Sequence, residues 1–237
     1  MSAALRVFPL VIVLSSSFAL VATAEAKRKP LVLTVKVKVA LCPTKGASRR
    51  KLPRTRKGRA REVVEGASKK SVRSKRWLEG HLAATRKIYG RHGIRLKVER
   101  TTFTPKRCVL LTRKHRHAMA EHAPFGPYAT VLVVKRVRDL DVPSYNLMGV
   151  HWRYRGRYAK RRGRRYVLLT ARARPPVLAH ELAHFLGLRH DPAGGNLMTP
   201  GPSDPVWKSK RKPKPFAPRL SKRQGRQLRA GIRLLQR

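Results

Sequence analysis

HELAHFLGLRH, residues 180–190, gathers three of the chain's nine histidines and one of its eleven acidic residues. On a helix, residues four apart project from one face, so His180 and His184 can aim imidazole nitrogens at one ion. Glu181 is turned about 100° from His180 and can reach a water on that ion, where it would act as a base. Gly187 follows His184 where helices commonly stop in a left-handed residue that glycine adopts without strain, and the turn it permits brings His190 back to the same point. Three neutral imidazoles leave one tetrahedral position open, the arrangement of a catalytic zinc rather than of a structural one closed by four protein ligands. Core histidines on an amphipathic helix would account for His184 alone, but not for three histidines, a glutamate and a glycine together.

The flanking sequence supplies elements to hold such a helix. LVLTVKVKVA (31–40) alternates apolar and polar residues and predicts a strand, as does Ile94, Leu96, Val98 within 94–101. Between them WLEGHLAATRKIYG places Leu78, Leu82, Thr85 and Tyr89 on one helical face and meets glycine stops at 90 and 93. The nearly continuous apolar run 129–137 reads as a strand covered on both faces, and 146–153 and 166–172 as two more, joined by the charged loop RGRYAKRRGRR. Pro175 and Pro176 suit the first turn of the histidine helix. Ser221 to Gln224 forms a capping box for a last helix with Leu228, Ile232 and Leu235 on one side. The order is strand, helix, four strands, two helices, which predicts an α+β fold.

Composition frames the rest. With 237 residues and 41% hydrophobic content, one core is expected, hence a single domain over 31–237. It divides into an N-terminal subdomain (31–187) and a small C-terminal one (188–237), after a short mature N-terminus (25–30). Lys and Arg number 57 against 11 Asp and Glu, a net charge of +46 that implies anionic partners or an anionic setting. Residues 43–76 are a basic insertion, read as a long surface excursion before the first helix. Residues 1–24 have Arg6, an apolar run and small-x-small sites, and read as a cleaved export signal, giving a secreted or periplasmic protein with no membrane span in the mature chain. In that setting Cys42 and Cys108 are expected to form a disulfide, the other reading being two buried thiols.

HELAHFLGLRH resembles the zinc signature of the metzincin metallopeptidases, His-Glu-x-x-His-x-x-Gly-x-x-His, and the following GGNLMTP resembles their Met-turn. The resemblance implies one catalytic Zn²⁺ on His180, His184 and His190, Glu181 as general base, and Met198 as a floor under the metal. It also implies a twisted five-stranded mixed sheet with an antiparallel edge strand, packed on two helices, plus a small C-terminal subdomain with a final helix. The fourth strand would be the edge that receives an extended peptide, making the backbone around Gly149, Val150 and His151 the substrate contacts. The short spacing and the Met-x-Pro ending look like the matrixin branch, whereas Asp191 is what the adamalysin branch carries. No Pro-Arg-Cys-Gly-like switch precedes the first strand, Thr199 stands where many matrixins have tyrosine, and no acidic cluster suits calcium.

Two functions of different class follow. One is an exported, monomeric zinc endopeptidase acting on peptides or proteins. The other is a secreted basic protein that binds nucleic acid, anionic glycans or cell surfaces, with a structural or inactive zinc site; few aromatics interleave the basic runs, so base stacking is not indicated.

Overall fold

A computed structural model of the protein describes residues 30–43, 69–201 and 214–237. The export-signal reading, most of the basic insertion and residues 202–213 lie outside the described residues. Among the described residues no helix is long and apolar enough to cross a membrane.

The elements, in order, are β1 (Leu31–Pro43), β2 (Lys69–Ser71), α1 (Lys75–Gly90), β3 (Ile94–Phe103), β4 (Val109–Leu110), α2 (Arg113–Ala118), β5 (Ala129–Val134), β6 (Arg136–Arg138), β7 (Asn146–Leu147), β8 (Gly149–Arg153), β9 (Arg165–Thr170), α3 (Pro175–Phe185) and α4 (Lys222–Leu235). The fold is mixed α+β. Its main sheet runs β3-β1-β5-β9-β8, with β1 parallel to both β3 and β5, β5 parallel to β9, and β8 antiparallel at the edge. Short β2 pairs antiparallel with the end of β1.

The alternation in β1 is realised as a two-faced strand. Leu33, Val35 and Val37 are buried under the helices, while Lys36 and Lys38 lie on the other side. In β5 every residue is buried, because α1 and α3 cover one face and the end of α2 with the following Met119, Ala120 and Ala123 the other. The predicted face of α1 is the buried one, and two of its polar residues hold α3 and the turn before it: Tyr89 Oη donates to the carbonyl of Ala179 at 2.8 Å, and His81 Nε2 lies 3.2 Å from the carbonyl of Ala173. Ser221 and Gln224 form the expected capping box of α4, which buries Leu228 and Ile232 against the same core.

Three sequence expectations need correction. The run 129–137 is not one strand: the amides of Lys135 and Arg136 both donate to the carbonyl of Cys108, and Arg136–Arg138 leaves the main sheet to pair with β4. The run 146–153 divides likewise, since β7 pairs with β6 in the small sheet β4-β6-β7 before β8 joins β9. The surface excursion begins later and ends earlier than 43–76, because Pro43 and Lys69 pair in the sheet and α1 already starts at Lys75, capped by Ser74. Cys42 and Cys108 are bonded, with Cα atoms 6.0 Å apart.

Candidate metal centre

Helix α3 carries His180, Glu181 and His184, and its end decides where the third histidine goes. Gly187 has φ +97, a left-handed conformation that costs a side-chain-bearing residue about 1–2 kcal/mol. Its amide donates to the carbonyl of His184, and the amide of Leu188 reaches back to that of Ala183, both at 3.0 Å, the paired bonds that close a helix with a glycine at this position. The chain then turns, and His180, His184 and His190 bring one nitrogen each to within 4.8 Å of one another.

The hydrogen bonds behind the rings fix which nitrogens face inward. His180 Nδ1 lies 2.7 Å from the carbonyl of Leu197, and His184 Nδ1 2.8 Å from that of Leu188. A carbonyl only accepts, so each Nδ1 carries the hydrogen and each Nε2 presents a lone pair. Burial, foremost, keeps both rings neutral, holding His184 down to about 3 and lowering His180 as well. Yet His184 Nε2 stands 3.0 Å from His180 Nε2 and 3.1 Å from His190 Nε2. Bare lone pairs at such distances repel unless something electrophilic lies between them. A tetrahedral zinc about 2.0–2.1 Å from each nitrogen needs neighbours about 3.3 Å apart, so the donor set fits a small dication.

Glu181 is buried, with 7% of its surface exposed, and burial raises its carboxyl to about 8 against the opposing pull of a backbone donor. That donor is the amide of His151 on β8, 2.7 Å from Oε2. The approach of β8 to α3 depends on Gly149: a Cβ there would stand 2.7 Å from Cγ of Glu181 and 2.8 Å from Cγ1 of Val177. The three edge residues predicted as substrate contacts differ in orientation. Tyr154 and Thr170 make ladder bonds to Arg164 and Met148, so by alternation Val150 turns its peptide groups to β9 while Gly149 and His151 turn theirs to the open edge. Val150 therefore lacks the outward backbone expected of it. The His151 ring is half-buried, 5.8 Å from that of Phe185, and its pKa falls to about 4, mainly by burial.

Met198 is fully buried in the core that also holds Leu178 and Leu182. Its carbonyl accepts from the amide of Asp191, so the turn 196–199 holds both sides of the centre, through Leu197 to His180 and through Met198 to the residue after His190. Asn196 organises that turn: its side chain accepts from the amide of Met198 at 2.8 Å and donates to Asp191 Oδ2 at 2.7 Å. Gln224 of α4 joins both, at 3.1 Å from Asn196 Oδ1 and 3.4 Å from Asp191 Oδ2. Sequence reasoning missed Asn196 and Gln224 as parts of the centre. Gln224 was legible only as a capping residue, and nothing in its spacing tells that its amide also reaches the turn.

No protein-family description matches the sequence, and no curated protein matches it. Among solved structures, metalloproteinase-II from Bacteroides fragilis aligns with 90% of this chain at 13% sequence identity and a TM-score of 0.44. The chain covers 56% of that protein's length.

Proposed function

We propose that this chain is an exported, monomeric zinc endopeptidase of the metzincin type. The observation that carries the reading is the convergence of three imidazole Nε2 atoms, two with their far nitrogens fixed on carbonyls, beside a buried glutamate at an open sheet edge. His180, His184 and His190 would hold a zinc ion, which when bound would polarise a scissile carbonyl and make a water more acidic. Glu181 would take a proton from that water and deliver it to the departing amide nitrogen. Met198 closes the floor beneath the rings.

An extended peptide lies along β8 as a further strand, bonding to the outward backbone of Gly149 and His151. The His151 amide is held by Glu181 Oε2, so peptide docking exchanges that bond for one to substrate and frees the carboxylate. Glu181→Gln tests the mechanism. The variant should retain about one zinc per chain yet lose at least about 10²-fold in cleavage of an unfolded protein, the lower end for a positioned base. His184→Ala should lose metal and activity together, because two imidazoles bind zinc far more weakly than three. Equal activity in wild type and metal-verified Glu181→Gln sinks the reading.

A second reading, attachment to anionic polymers, is favoured by the net charge of +46 and the exposed basic loop 153–165. Retention on heparin or DNA should fall steeply as salt rises, because each neutralised anion releases counterions; retention indifferent to salt argues against it.

A further inference from the structure

Arg153 of β8 and Arg165 of β9 are register partners, and the ladder bond of the adjacent Tyr154 to Arg164 makes them a non-hydrogen-bonded pair, the closer kind. Like charges directly opposite one another are destabilising. No acid offsets them: among the described residues none forms an ion pair with either arginine. Arg165 is fixed in place, with Nη1 donating to the carbonyl of Phe185 at 3.2 Å and the guanidinium 5.0 Å from the Phe185 ring, at the negative end of α3. Arg153 is exposed on the open edge, two residues from His151.

We propose that Arg153, backed by Arg165, forms a subsite that selects an acidic side chain in the peptide. The inference rests on the reading of β8 as the substrate edge. Side chains of neighbouring strands line up in rows, so a peptide strand beside β8 continues the row Arg165, Arg153 with one residue of its own on the same face, a cross-strand neighbour about 4.5–5.5 Å away. A glutamate or aspartate there turns a repulsive pair into an alternating one. The selected position lies two residues along the peptide from the one opposite His151, where Glu181 reaches the edge. Apart from burial, Arg153 is also what lowers the proton affinity of Arg165, so the two charges feel each other.

The experiment uses zinc-loaded full chain and paired peptides scanned for a single Glu-to-Gln difference. Wild type should cleave the Glu peptide at one position with a kcat/KM at least about tenfold above its Gln partner. Arg153→Gln should abolish the difference by slowing only the Glu peptide, and Arg233→Gln, which removes an equal charge from α4, should preserve it. Binding of the same peptides to zinc-loaded Glu181→Gln, followed by fluorescence anisotropy, separates the two claims. An Arg153-dependent preference in binding without cleavage by wild type would support the subsite and count against the peptidase. Equal handling of Glu and Gln peptides, or an equal effect of Arg233→Gln, would overturn the subsite.

Discussion

The two faces of the main sheet solve the problem of buried polar groups differently. On the face covered by α1 and α3, four buried side chains are matched to carbonyls, Tyr89 to Ala179, His81 to Ala173, His180 to Leu197 and His184 to Leu188, while His81 Nδ1 and His151 Nε2 have no partner. On the face covered by α2, Arg116 Nε, His117 Nδ1 and Trp152 Nε1 are buried without a partner. There Tyr166 and Arg116 also donate to carbonyls, but the rings are held by ring contacts, with Arg116 4.7 Å from the Trp152 ring and the His117 ring edge-on to Tyr154 at 4.8 Å. The difference teaches where orientation is needed. A ligand ring must be held to one tautomer and one angle, which a carbonyl does and ring packing does not. The far face needs only to stay closed, and a covalent clamp between Cys42 and Cys108 serves that end.

The largest expected effect would come from cutting that clamp. Cys42 and Cys108 are 66 residues apart, and loop-closure entropy for such a span is about 4 kcal/mol. The double Cys→Ser variant should lose roughly that much stability in urea denaturation. Its zinc affinity, measured against a competing chelator in the folded range, should change little. A parallel loss of zinc affinity would show that the two faces are not separable.

The same contrast governs what could be read from sequence. The near face was legible because its elements are long and periodic: α1 announced its buried side through Leu78, Leu82, Thr85 and Tyr89, and the histidine spacing set the ligand face of α3. The far face is built from β4, β6 and β7, two or three residues each, too short to show a period. In the run 129–137 Lys135 and Arg136 stand where the chain changes sheets, but two charged residues alone do not mark a switch, and the hydrogen bonds that redirect them involve backbone alone. For the same reason the carbonyls of Leu188 and Leu197, which hold the His184 and His180 rings, left no trace in residue type.

Gly187→Ala sharpens the comparison at a single residue. Gly187 and Gly163 both have positive φ, +97 and +82, with no atom within 4 Å of a would-be Cβ, so alanine at either carries a similar backbone penalty, about 1–2 kcal/mol. Only Gly187 leads into the carbonyl that holds His184. Gly187→Ala should therefore also weaken zinc binding, by the ~10–100-fold typical of lost partners behind ligands, while Gly163→Ala should not. Equal zinc affinities in the two variants would separate the helix stop from the metal centre.

The smallest effect is a slope of stability with pH in metal-free protein. Burial raises Glu181 to about 8 from an unfolded value near 4.5, so between these limits the native state binds the extra proton and stability falls as pH rises. His184, held down to about 3 from 6.5, works the other way: there the unfolded state binds the proton, and stability rises with pH up to about 6.5. His151, held to about 4, adds to that rise. Below about pH 6.5 the histidines thus oppose the glutamate, and between about 6.5 and 8 Glu181 acts without them. In chelated samples wild type should lose stability across that upper window, by no more than about 1.4 kcal/mol per pH unit. Glu181→Gln, which has no proton to lose, should be flat there and should rise more steeply than wild type below about pH 6.5, where the histidines act unopposed. Thermal melts from pH 5 to 9 decide it: parallel curves for the two proteins above pH 6.5 would mean that Glu181 is ionised in the metal-free fold, and that the matching of polar groups on the near face extends to its carboxylate.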